Sequence, residues 1–392
     1  MLGSQIVLLH YFDSYGESME KKEKPIYRNQ SIFVWVVVLF LAYILGRSIF
    51  PLASSSYKGN SLLISVLVLL LGFIFSTILY EVGKIIFGKI AGYKLIKTNI
   101  LGFTWTKQNN KTKFSFTRFT RYGGETLMSP KKDKASLVLL SLGGSIFVIL
   151  INVICLVLLT IFTNNTKYDF LLYSQYIFST IALLILIFNL APVLNDEMYD
   201  GFVLRIYFSK KDFIKQYHQL LIQQERIISN TGKITLIEHF DLQNPLLNSA
   251  YVYNCYYYLD NNDFVQAEKI AIEGLEKGLY LTESEKAKLY NIKFYFALLR
   301  NEEEKVGNEF YKLDRSLRKQ IINPHNFESL KTALLIASII DSSYDLYEYL
   351  TLQIDKDKNK YYASRVNIEE NLIDKSLSFI ETKKIEWFKK EN

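Results

Sequence analysis

The chain has 392 residues, with 46 Lys and Arg against 39 Asp and Glu and 49% hydrophobic residues. That length admits two domains. A mean hydropathy of +0.09 averages a strongly apolar first half with a charged, tyrosine-rich second half, which excludes one evenly mixed globular domain. The formal excess of +7 comes mostly from residues 84–134, where twelve Lys/Arg face only Glu125 and Asp133. This suits contact with anionic membrane lipid. A nucleic-acid role would need a basic face with a readable motif, and the sequence has neither. Cys155 falls in an apolar segment and Cys255 in the charged half, so no disulfide is expected.

Residues 1–30 read as a cytoplasmic N-terminal segment. Met1 to His10 is apolar but lacks a basic start and a small-residue cleavage pattern, so it is not a cleavable signal peptide. Met19-Glu20-Lys21-Lys22 would make an alternative start. Four apolar stretches follow, near Ser31–Phe50, Ser61–Tyr80 (continuing as a helix to about Ile90), Ala135–Phe162 and Phe170–Leu194. Each is close to the roughly 20 residues a bilayer span needs. Lys21, Lys22, Lys24 and Arg28 precede the first, and Arg205, Lys210, Lys211 and Lys215 follow the fourth. The two remaining loops hold only Arg47 and Lys58, then Lys167. The excess of basic residues on one side predicts four spans with both termini in the cytoplasm.

The second span carries Tyr80-Glu81-Val82-Gly83-Lys84. A zinc-protease helix reads His-Glu-x-x-His, with both histidines on one face and the Glu as general base. Here Tyr80 and Lys84 stand at the histidine positions and Glu81 remains. Downstream come two strand-like runs, through Leu101-Gly102-Phe103 and Phe114-Ser115-Phe116, and then Gly123-Gly124. The third span opens Ser141-Leu142-Gly143-Gly144-Ser145 and carries Asn152. The fourth ends Asn189-Leu190-Ala191-Pro192 and leads to Asp200-Gly201. In this order the features resemble the site-2 protease (M50) family of intramembrane metalloproteases, over roughly residues 61–208. The resemblance implies a mainly α, polytopic fold over residues 31–208: a three-helix core, one extra N-terminal helix and a small β-hairpin insertion. It makes Glu81 the vestigial general-base position and Tyr80, Lys84 and Asp200 the former metal-ligand positions. Gly123, Gly124, Asn189 and Pro192 are then the substrate-binding positions, the last two breaking a helix to expose carbonyls. The family's hairpin helps present a substrate strand, for which Thr98–Phe103 and Phe114–Thr117 could offer an edge.

The chemistry at those positions argues against zinc. Tyr is a poor ligand at neutral pH, an ammonium at Lys84 repels the ion, and only Asp200 could serve of the usual three ligands. None of the four histidines (His10, His218, His239, His325) lies in a span. Asp196 and Glu197 add carboxylates, but an all-oxygen set suits Mg²⁺ or Ca²⁺. No cofactor is therefore expected, or zinc if an active enzyme holds it through non-standard ligands. Charge in hydrocarbon is costly unless paired. Lys84 either joins Glu81 and Asp200 in an ion cluster or snorkels unpaired to the surface. A Glu81–Asp200 dyad sharing a proton would need no cation between them. Ser141 to Ser145 reads as small-residue helix packing, and Gly123-Gly124 lacks the Lys-Ser/Thr of a P-loop.

Beyond the membrane part, residues 209–392 read as a cytoplasmic helical domain. Asn248–Leu259, Phe264–Lys277, Glu283–Leu299, Glu302–Lys319 and Phe327–Ile340 show helical apolar spacing. Asp263, Phe264, Ala267 and Ala271 resemble the second half of a tetratricopeptide repeat. An irregular array of helical hairpins fits equally, and either offers a concave face for peptides or helices; a domain that merely stabilises the membrane part is the plainer alternative. Taken together these readings predict a pseudoprotease. It would bind a peptide or single-span membrane protein and couple it to a cytoplasmic protein partner, in bacterial peptide signalling, export or immunity. An active intramembrane metallopeptidase with non-standard ligands, or a purely structural membrane subunit, are the other readings.

Overall fold

The computed structural model describes residues 32, 35–40, 42–44, 47, 62–108, 111–116, 124–131, 135–162, 169–192, 199–209, 212–241, 244–358 and 361–388. The protein is mainly α-helical and divides into two compact units, with the boundary after Thr231.

In the first unit, α1 (Leu62–Ile90), α2 (Leu137–Phe162) and α3 (Asp169–Leu190) are long and uninterrupted by charge over most of their length. Three helical stretches, Val66–Ile90, Leu137–Ile161 and Phe170–Leu190, are long and apolar enough to cross a membrane. Their exposed faces carry Leu70, Leu71, Leu150 and Val153, as lipid contact requires. Of the first expected span, residues 35–40 and 42–44 are helical, and the rest lies mainly outside the described residues. Trp35 packs on Phe188 with ring centroids 4.9 Å apart and the rings tilted by 39°, which seats this stretch against the end of α3. α1 and α2 meet through small residues, Gly83 against Gly143 and Gly144, so their backbones come close.

α1 ends at Ala91-Gly92, where Gly92 has φ +94°. Gly92 also accepts the Lys131 amide at 2.9 Å. Between α1 and α2 the expected hairpin is instead a four-stranded antiparallel sheet. It contains β1 (Tyr93–Ile100), β2 (Phe103–Gln108), β3 (Lys111–Phe116) and β4 (Gly124–Pro130), in the order β3-β2-β1-β4. The β1–β2 turn is tight, with Leu101 at φ 53° and the Asn99 side chain accepting the Gly102 amide at 2.9 Å. Thr98 pairs with both Trp105 and Thr126, so it lies inside the sheet; only Phe114 to Phe116 of the expected edges belongs to an edge strand. Two short helices complete the unit, α4 (Asp200–Ser209) and α5 (Ile214–Ser229). α5 packs against the sheet, Leu221 joining Tyr93 and Met128 in one apolar cluster. The unit therefore runs past the expected boundary at residue 208.

The second unit, from Gly232, is helical throughout its main elements. α6 (Ala250–Asp260), α7 (Phe264–Lys277) and α8 (Glu283–Leu299) stand within two residues of expectation. A capping box between Thr282 and Glu285 starts α8. The expected helix 302–319 is two helices, α9 (Glu303–Lys312) and α10 (Arg315–Ile321), because Leu313 and Asp314 are extended. α11 (Phe327–Leu335) passes into a π-turn at Ile336–Ile340. α12 (Tyr344–Lys358) and α13 (Ala363–Lys383) follow, and α13 packs on α11.

Candidate functional site

Helical spacing places Tyr80 and Lys84 one turn apart on the same face of α1. Asp200, the first residue of α4, meets them from 116 and 120 residues away in the chain. The Tyr80 hydroxyl donates to Asp200 Oδ2 at 2.6 Å, and Lys84 Nζ lies 3.1 Å from Oδ1 and 3.0 Å from Oδ2. Asp200 reaches this position because Gly201 sits directly on the Leu190 and Ala191 carbonyls at the end of α3. A Cβ at Gly201 would overlap the Leu190 carbonyl. At the first residue of α4 the helix dipole adds favourable potential at the carboxylate.

Glu81 points elsewhere. It is 4% exposed, and among the described residues it forms no ion pair. Thr126 of β4 lies within hydrogen-bonding reach of its carboxyl, while Oε2 has no partner. Thr126 is itself fixed by Thr98, with their hydroxyls 2.9 Å apart. Gly124 lies against Glu81 so closely that a Cβ there would stand 2.6 Å from Glu81 Cγ and Oε1. The cluster is thus Tyr80–Lys84–Asp200, with Glu81 beside it rather than in it. Lys84, with a side chain 16% exposed, is bonded to Asp200 and does not run free to the surface. A Glu81–Asp200 dyad is excluded in this arrangement, since Tyr80 and Lys84 occupy the Asp200 oxygens.

The remaining sequence-derived positions are placed as follows. Asn189 donates to the Ile185 carbonyl at 2.9 Å within its own helix. α3 ends at Leu190, and the Pro192 carbonyl accepts Arg205 at 3.2 Å, so that carbonyl is engaged rather than open. Gly123, His10, Asp196 and Glu197 lie outside the described residues. His218 is buried against the Tyr93 hydroxyl at 2.9 Å. Asn152 of α2 accepts from Ser179 at 3.0 Å and Gln175 at 3.2 Å, tying α2 to α3 by a polar contact. Tyr217 of α5 was not singled out by the sequence. Burial, with the nearby Asp200 carboxylate, pushes its phenol up to about 12, so it stays protonated beside the cluster. Only the apolar stripe of α5 could have pointed to it.

The donor set does not fit a zinc ion. A phenol, an ammonium and one carboxylate converge, and the ammonium already stands where the carboxylate would meet a cation. Among the described residues no three His, Cys, Asp or Glu gather in a metal-holding group. Comparison with family models, with curated proteins and with solved structures finds no match for this chain.

Proposed function

We propose that the protein is a site-2-protease-like membrane pseudoprotease. In this reading it binds a peptide or a single-span membrane protein in the first unit and passes that event to a protein partner through the helical second unit. The observation that carries the reading is the Lys84–Asp200 pair with the Tyr80 hydroxyl on the same carboxylate. A protein cation fills the place where hydrolysis by the resembled family needs a metal. Two features support docking without chemistry. Glu81 is retained, buried and short of one hydrogen-bond partner. β4, the strand against it, closes one end of the sheet, pairing on one side with β1; an extended segment added to such an edge gains main-chain hydrogen bonds. The basic residues between Lys84 and Lys134 favour the cytoplasmic side of a membrane with anionic lipid for that sheet.

Elemental analysis of the detergent-purified chain, with Asp200→Asn alongside, tests the reading. No zinc above background in either protein is the expected result. About one zinc per chain, lost in the variant, would overturn it and favour an active metallopeptidase with unusual ligands.

A further inference from the structure

The second unit contains a polar cavity of about 110 Å³ between α8, the end of α10 and the start of α11. That is room for several waters. It reaches from exposed Ser284 down to Asn291, which is 2% exposed. Four carboxamide side chains line it, and each is fixed by a bond within the protein. Asn291 Nδ2 donates to the Ile321 carbonyl at 2.7 Å, and Gln320 Nε2 donates to Glu283 at 3.1 Å. Asn326 Nδ2 donates to Ser329 Oγ at 3.0 Å, and Asn323 Oδ1 accepts the His325 amide at 3.0 Å. The other half of each carboxamide makes no hydrogen bond among the described residues, and Asn291 Oδ1 is buried in that state. Lys288, also on the wall, has neither an ion pair nor a hydrogen bond among them. The oxygens of Asn291, Gln320 and Asn326 are thus open to a donor, and the Asn323 nitrogen and the Lys288 ammonium to an acceptor.

The chemistry of the walls selects the ligand. One ammonium, Lys288, balances one carboxyl, Glu328, so the lining favours neither an anion nor a cation. Ala287 is the single apolar residue on the walls, so an apolar side chain gains little by entering. Among the described residues no aromatic ring lines the cavity to stack on a base or a sugar ring. What fits is a neutral group that carries a donor and an acceptor side by side, and the peptide unit is such a group. Resting on the reading that the second unit meets a protein partner, we propose that this cavity binds a main-chain amide of an extended segment of that partner. Recognition is of backbone at this point, and the partner's side chains are read elsewhere.

Full-length protein in detergent is titrated with acetylated, amidated triglycine, which offers main chain without side chains, and binding is read by saturation-transfer NMR. Matched peptides carry an ester oxygen in place of one peptide N–H at a time. Triglycine should bind, and one of the esters should bind about tenfold or more weakly. Asn291→Ala should bring that ester and its parent to equal affinity, because the acceptor that senses the N–H is gone. Lys288→Met removes a half-buried side chain that has no partner to lose, and should weaken every peptide several-fold. It keeps the test decisive where Asn291→Ala does not fold. Triglycine that does not bind, or esters that all match their parent, would mean that the cavity holds ordered water only and would overturn the proposal. An ester penalty that survives Asn291→Ala, or a parent affinity that Lys288→Met leaves unchanged, overturns it too. None of these results bears on zinc at Lys84 and Asp200, and zinc found there would leave the cavity's ligand standing.

Discussion

Each unit of the molecule buries a cluster of charge, and the two differ in how many cations they hold. In the helical unit, Glu369 is fully buried and takes Lys331 at 2.7 Å and Arg365 at 2.9 Å, one cation per oxygen. Arg365 also reaches Asp260 at 2.7 Å and lies over the Tyr256 ring at 3.9 Å. Glu328, close by, accepts the Tyr256 and Tyr361 hydroxyls. Glu369 and Glu328 thus each take at least one donor from another helix. In the first unit Asp200 is held as well, and among the described residues Glu81 Oε2 has no hydrogen-bond partner. The ion network that joins α6, α11 and α13 ties three helices of its unit together.

Breaking the cluster of the helical unit should give the largest effect. Arg365→Met leaves Glu369 and Asp260 short of a partner and should cost about 3–5 kcal/mol, the usual penalty for halving a buried pair. Hydrogen exchange of α11 and α13 would read it, and unchanged protection would remove the network from the account of stability. The same cluster predicts a pH response. Burial alone raises the Glu369 carboxyl, but Lys331 and Arg365 together hold it below the ordinary glutamate range. A depressed carboxyl contributes stability above its unfolded value of about 4.3, and that contribution is lost as pH falls through the folded value. Protection of α11 and α13 should therefore drop on acidification, and less so in Glu369→Gln.

The cluster of the first unit should respond in steric terms first. Gly124→Val forces a branched side chain against Glu81 and should destabilise the sheet–helix contact by about 1–3 kcal/mol, as overpacking does. Faster proteolysis of β4 with unaltered exchange in α11 and α13 would place the damage. Lys84→His, which restores one family ligand position, should lower the melting temperature in detergent by removing the partner of Asp200. A double-mutant cycle with Asp200→Asn should return a coupling of about 1 kcal/mol or more. A melting temperature unchanged by Lys84→His would mean that the pair holds nothing together.

How much of this was readable beforehand depends on the kind of signal. The three long helices were legible to within a few residues, because uninterrupted apolar character needs no partner to be recognised. The contact between Lys84 and Asp200 was one of two alternatives, raised by the order of motifs in a resembled family; no local spacing relates positions 116 residues apart. β1 was read only over its last residues, within Thr98–Phe103, because a bulge between Leu95 and Lys97 disrupts alternation, and β4 was missed because Gly124–Pro130 is largely polar and ends in proline. The break at Leu313 was invisible because the apolar periodicity of α9 runs on into α10. That Glu81 stands apart from the ion pair follows from its position one residue along α1, about 100° around the helix from Tyr80.

The smallest effect should come from a charge pair that neither cluster contains. Arg300 makes a bidentate contact with Glu268, at 2.5 and 2.7 Å, and also bonds Glu302 at 2.9 Å. Its geometry is as good as that of Arg365, but its side chain is 50% exposed against 1%. Water solvates both partners when the contact opens, so Arg300→Met should cost no more than about 1 kcal/mol and should fade with added salt. Arg365→Met should be far less sensitive to salt, since buried pairs are poorly screened. If the two substitutions cost the same in unfolding experiments on the same protein, burial would not be what gives the interior network its strength.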